Sequence, residues 1–224
     1  MEIPLPSVQE QRLIVARIGE LTAKIERARN FRQEAAEDAG AVLPNAISRV
    51  IGDGQPIVAL QEAVDPRRPI TYGIVQAGEN VPDGVPYIRV SDMARPQLTT
   101  EGMLKTAPEI AARYRRSAVR EGDIVFTIRA TVGKMRFVPK ELDGANLTQG
   151  TARVAPSERA TAQYLFWALQ SREVAEAIEN VTKGSAYREI TLGRLRTIPS
   201  HSRRSLSNAG LWRSWMRCRR RWTS

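Results

Sequence analysis

The chain has a single cysteine, Cys218, and a single histidine, His201. Two such residues cannot build a Cys/His metal site. No apolar run approaches the ~20 residues of a membrane span. Met1-Glu2-Ile3-Pro4 lacks the basic and apolar regions of a signal peptide, so a soluble, cytoplasmic protein with no membrane association is expected. Catalytic motifs are missing as well. Adenine methylation would need an Asp/Asn-Pro-Pro-aromatic site and a glycine-rich cofactor loop, and neither occurs; Pro82-Asp83-Gly84 is a turn. Gly133-Lys134 is followed by Met135 rather than Ser or Thr, so it is no phosphate loop. No Asp/Glu-x-Lys occurs for a nuclease. The chain therefore reads as non-catalytic, without a metal or cofactor of its own.

What is present begins with a long amphipathic pattern. Ile14, Ile18, Leu21, Ile25, Ala28, Arg32, Ala35, Ala39, Val42 and Ala46 alternate steps of four and three, the seam of a helix that packs along another helix. Only Arg32 breaks its apolar character. Ile3-Pro4-Leu5-Pro6 cannot be helical, because the residue before each proline is pushed to extended geometry. Ser7 then offers an N-cap with Glu10 three residues on, a capping box. The spacing predicts a helix from about Val8 to Leu43, roughly 54 Å long at about 1.5 Å per residue. An ordinary long core helix or a homodimeric coiled coil would show the same periodicity. Pro44 should kink the helix or begin a new segment, and Gly52-Asp53-Gly54 should end it. Residues 1–54 are thus expected to form one unit, and 55–199 a second.

In the second region the signals change to strands and turns: Ile57–Leu60, Tyr72–Gln76, Tyr87–Val90 as a half-buried strand, Ile124–Ile128, Met135–Val138 and Gly150–Ala155. Helices are expected at Ala107–Arg115 and, most clearly, at Ala160–Asn180, whose apolar face includes Tyr164, Leu165, Trp167 and Val174. Phe126, Phe166 and Trp167 are expected in the core. The expected class is α+β: a long N-terminal helix, then a mixed β-rich domain with a few helices.

Net charge is +10, but residues 200–224 hold seven arginines and no acid, leaving +3 for the remainder. The same stretch holds three of the four tryptophans, Trp212, Trp215 and Trp222. A nucleic-acid-binding tail is one reading, with arginine meeting phosphate and tryptophan stacking on bases. The genetic code offers another. With permissible codons, the stretch after Pro199 read in a shifted frame spells Ile-Pro-Leu-Pro-Pro-Leu-Ala and then Glu-Gln-Arg-Arg-Ile-Val-Ala, the opening phrase of the chain again. Residues 200–224 are therefore expected to be a frame-shifted, disordered second copy of the helix.

Pro4-Leu5-Pro6 followed by Glu10-Gln11-Arg12-Leu13-Ile14-Val15, opening a long helix, resembles the spacer region of the DNA-specificity subunit of type I restriction-modification enzymes. In that family each target recognition domain is followed by such a helix, and two antiparallel helices hold two recognition domains apart. Tyr72–Gln76, Gly84–Arg89 with Asp92, Glu121–Ile124 with Thr127 and Arg129, Gly133-Lys134, Gln149-Gly150 and Lys183–Thr191 follow the order of that family's recognition domain. The resemblance covers about residues 3–199 and is to the latter half of a subunit: one spacer helix and one recognition domain, with Met1 either a true start or a relic of a broken gene. It implies double-stranded DNA, DNA methyltransferase subunits and a restriction endonuclease subunit as partners, with S-adenosylmethionine and ATP on those partners.

DNA reading needs cations for phosphates and planar or amide groups for base edges. The candidates are Tyr72, Gln76, Arg89, Arg129, Thr131, Lys134, Arg136 and Gln149 in turns of the β-rich part, and Lys183, Ser185, Tyr187 and Arg188 in the Gly184 loop. Each is also readable as a solvated surface residue, Tyr72 and Tyr187 as core-edge aromatics, and Arg89 as an outward strand residue. Ile14, Ile18, Leu21, Ile25, Ala28 and Ala35 are the candidate partner-helix interface, open to self-association or to a methyltransferase subunit. The competing function is a coiled-coil interaction fragment or relic without specific DNA binding. A nonspecific anchor in the basic tail ranks last.

Overall fold

The computed structural model describes residues 7–52, 57–158, 160–182 and 189–201. Lys183, Ser185, Tyr187 and Arg188, and the tail expectation beyond His201, lie outside the described residues. The chain divides into two units, residues 1–45 and 46–224.

In the first unit α1 (Val8–Gly52) begins as the capping box requires. Glu10 Oε2 accepts from the Ser7 backbone N at 2.8 Å and from its hydroxyl at 2.7 Å. These bonds hold the Glu10 carboxyl below its usual range, the Ser7 hydroxyl contributing most. No described residue before Pro44 is buried, and Ile14, Ile18, Leu21 and Ile25 all stand open to solvent. Pro44 does not begin a new segment; it lies inside one helical element that runs on to Gly52. The physical reason is in the second unit. There Ile47 and Ile51 are buried with Ala168 and Tyr164, and the Ser48 hydroxyl donates to Glu173 Oε2 at 2.7 Å, so the turns after the proline have tertiary partners that offset one lost backbone bond.

The second unit continues with β1 (Ile57–Ala59), α2 (Leu60–Ala63), β2 (Thr71–Tyr72), β3 (Val85–Ile88), β4 (Lys105–Thr106) and α3 (Pro108–Arg113). A 3₁₀ turn at Arg115–Ser117 leads to β5 (Ile124–Thr127), β6 (Met135–Phe137), β7 (Asn146–Leu147) and β8 (Thr151–Val154). Then come α4 (Ala162–Ala168), α5 (Arg172–Thr182), α6 (Leu192–Thr197) and β9 (Pro199–His201). The architecture is α+β. Among the described residues, a four-stranded antiparallel sheet has the order β2-β8-β5-β6, a three-stranded sheet the order β4-β3-β7, and β1 pairs with β9.

β5 organises the packing. Its residues are buried on both faces, as a central strand between two apolar layers must be. Ile124 and Phe126 enter a core shared with Leu165, Leu169 and Val174 of the α4–α5 region and with Leu195 of α6. Val125 points into a second core with Ile88, Met93, Leu98, Leu142 and Leu147.

Three expectations change. The single helix over 160–180 is two, broken between Ala168 and Arg172, where the Gln170 and Ser171 amides donate to Trp167 and Ala168 carbonyls and so tighten the chain out of α geometry. Trp167 is not core: it is 46% exposed, set edge-on against Phe166, which stacks on Phe137. β3 is not half-buried by alternation, since Tyr87 and Ile88 are both buried, and the strand ends before Arg89 because Asp92 turns the chain there.

Candidate functional site

Four stretches that carry sequence candidates meet at the carboxyl ends of β2, β3 and β5 and the amino end of β8. Gln149 N donates to Ile74 O at 3.0 Å, Thr148 N to Ile88 O at 3.2 Å, and Ile128 N to Gly150 O at 2.9 Å. Ile190 N donates to Ile128 O at 2.9 Å, adding the segment that precedes α6. The approach is close enough to need glycine: a Cβ on Gly73 would lie 1.9 Å from the Leu147 carbonyl oxygen, and one on Gly150 would lie 2.6 Å from Val90 Cγ2.

The loop between β5 and β6 is held from beneath. The buried Thr127 hydroxyl bonds the Thr131 carbonyl and accepts from Lys134 N at 2.9 Å. Ala130 adopts φ 59° and Gly133 φ 93°, so the loop reverses through left-handed backbone on both sides of Thr131. Thr131 and Lys134 are consequently exposed on a fixed scaffold, and Lys134 has no ion-pair partner among the described residues.

The remaining candidates divide. Tyr72 is exposed on edge strand β2 and Gln76 is exposed just beyond it, while Gln149 is half-buried in the turn before β8. Arg129 is engaged: its Nε donates to Glu189 Oε1 at 2.9 Å, both side chains half open to solvent. Arg89 donates to Asp92 through Nε at 3.0 Å and Nη2 at 2.8 Å, a fork that raises the guanidinium pKa further. Arg136 donates to the Arg95 and Met135 carbonyls at 2.7 Å each and so ties the loop before β4 to β6. Glu189 was missed as a site residue, because nothing in the sequence pairs it with a residue sixty positions earlier. No metal-holding group of His, Cys, Asp or Glu occurs among the described residues.

Residues 74–199 match the model of the type I restriction modification DNA specificity domain. The chain belongs to this family. The domain it matches is a DNA specificity domain. The matched segment contains the loops just described, from Ile74 through Gln149 to Glu189. The type I restriction enzyme EcoBI specificity subunit of Escherichia coli is 27% identical over 179 residues, which are 69% of this chain and 38% of that protein. The chain therefore spans well under half the length of that relative. A solved structure described as the basis of complex assembly and conformational transition of the type I R-M system is similar at TM-score 0.57 and 22% identity, over 98% of this chain and 53% of that one. That likeness is one of fold, long helix and strand-rich domain together. The crystal structure of the HsdS subunit from Thermoanaerobacter tengcongensis gives TM-score 0.49 at 22% identity, over 89% of this chain and 48% of that one. Among the described residues no helix is long and apolar enough to cross a membrane.

Proposed function

We propose that this chain reads one part of a split double-stranded DNA site and directs methyltransferase and endonuclease subunits of a type I restriction-modification system to it. The observation that carries this reading is the convergence of the 72–76, 89–92, 129–134 and 148–150 stretches at one end of the sheets, all but residues 72–73 inside the matched segment. Their side chains are of the right kinds. Lys134 and Arg129 are cations for phosphates, while Gln149, Gln76 and Tyr72 are amide and planar groups for base edges. S-adenosylmethionine and ATP would be held by the partner subunits. Residues 1–54 would serve as the spacer helix and 55–199 as the recognition domain. The test is selection of bound duplexes from a randomised pool by the chain assembled with its methyltransferase subunit. Enrichment of one short sequence is expected, and a pool that stays random would refute the reading.

A second reading, a coiled-coil interaction fragment without specific DNA binding, is favoured by one observation: the apolar seam of α1 is open to solvent. The same selection separates the two, because a pure interaction fragment would assemble yet enrich nothing.

A further inference from the structure

From Thr106 to Arg120 the chain carries four arginines, 113, 115, 116 and 120, and one acid, Glu109. All four arginines are exposed, and none of them forms an ion pair among the described residues. Ordinary surfaces intersperse the two signs, and an uncompensated cluster costs self-repulsion. None of these residues is among the candidates above.

The segment that bears them is built. The buried Ser117 hydroxyl donates to Asn146 Oδ1 at 2.8 Å, and Asn146 Nδ2 donates to the Ala111 carbonyl at 3.3 Å. Beneath the 3₁₀ turn lies Arg153 of β8, only 4% exposed, whose Nη1 donates to the Arg116 and Ala118 carbonyls at 2.8 and 2.7 Å. The fold thus clamps an arginine-rich turn with a further buried arginine. Burial disfavours the charge of Arg153, and Arg68 and Arg120 oppose it too, with Asp123 and Asp65 compensating in part. Asp123 itself is occupied, accepting from Arg68 Nη1 at 2.9 Å and from the Arg120 backbone N at 2.7 Å. The 3₁₀ turn packs against β2 and β7, the strand that carries Tyr72 and the strand that leads into Gln149. Its bonds fall at the amino ends of those strands, on Asn146 of β7 and, through Arg153 Nη2, on the Pro69 carbonyl before β2, so it lies toward the end of the sheet opposite the converging loops.

We propose that Arg113, Arg115, Arg116 and Arg120 form a phosphate-backbone contact surface for double-stranded DNA, on the same strands as the base-reading loops but at their other end, and held in place by Arg153. The inference rests on the DNA reading proposed above and deepens it. Guanidinium forks match phosphate geometry bidentately, and their charge adds affinity without sequence preference. Such a surface adds backbone affinity at a distance from the loops that discriminate.

The experiment titrates the full chain against a labelled mixed-sequence 30-base-pair duplex by fluorescence anisotropy at several salt concentrations. For R115Q/R116Q, affinity at ~0.1 M salt should fall tenfold or more, and the slope of log K against log salt should flatten by about 1.8, near 0.9 per lost phosphate contact. R115K/R116K should retain most of the slope, and R17Q/R29Q on α1 should leave it unchanged. Wild-type affinity and slope in R115Q/R116Q, in a protein whose parent binds the duplex, would overturn this inference and leave the DNA reading intact. A parent chain that binds no duplex at low salt overturns both. A loss confined to a poly-glutamate probe would assign the surface to an acidic protein and overturn the proposal.

Discussion

Arg129 bonds one carboxylate, Glu189, and the pair is exposed enough for a phosphate to compete with it. Surface pairs of this kind contribute about 0–1 kcal/mol to stability, so the pair matters more for charge than for folding. Glu189→Gln is expected to leave the denaturation midpoint nearly unchanged and to strengthen binding to a mixed-sequence duplex severalfold, because Arg129 then meets phosphate without a carboxylate competing for it. Anisotropy titrations check it; an unaltered affinity would show that Glu189 does not restrain Arg129. Gly73 acts at the same scale through sterics. A methyl there meets backbone, the Leu147 carbonyl, which cannot swing aside as a side chain can. Gly73→Ala should cost about 3 kcal/mol and loosen the pairing of Ile74 with Thr148, measured by chemical denaturation. A variant with the parent's midpoint would mean that the strands part without penalty.

At the scale of elements, α1 is the part whose sequence logic exceeds what its own unit satisfies. Ile14, Ile18, Leu21 and Ile25 repeat at seam spacing yet remain exposed, Ile18 at 57%. Burying each such side chain contributes roughly 1.5–3 kcal/mol, enough for a second helix to pair with the seam. Ile18→Asp is therefore expected to abolish self-association or capture of a methyltransferase subunit, read by light scattering of the chain alone and with that subunit. A parent protein that stays monomeric in both conditions would refute the role of the seam. The α4–α5 break shows the converse, an element whose continuous apolar pattern is interrupted by local backbone bonding around Ser171.

At the scale of the whole molecule, the proposed readout divides labour among side chains that one end of the second unit brings together. Arg129→Ala or Lys134→Ala should weaken binding to every duplex and flatten its salt dependence, as lost phosphate contacts do. Gln149→Ala or Tyr72→Ala should instead change which bases are preferred in a duplex selection. Equal losses on selected and random duplexes for all four substitutions would refute this division. Arg89 and Arg136 differ from that set, since their guanidiniums are spent on Asp92 and on backbone carbonyls. Their role reads as holding the loops.

The N-cap at Ser7, the long helix α1, the strand that begins at Ile124 and the α+β class were all legible in the sequence, because capping, helical periodicity and apolar runs are local signals with local causes. The order of short motifs likewise identified the family that the 74–199 match shows. Tertiary structure alone decided which groups stand next to one another. It buries Arg153 under the carbonyls of Arg116 and Ala118, sets Arg129 against Glu189, and pairs β1 with β9 across the length of the second unit. Those are long-range choices made by strand register and two-sided burial around β5, and no window of neighbouring residues contains the hydrogen-bond partners or apolar surfaces that make them favourable.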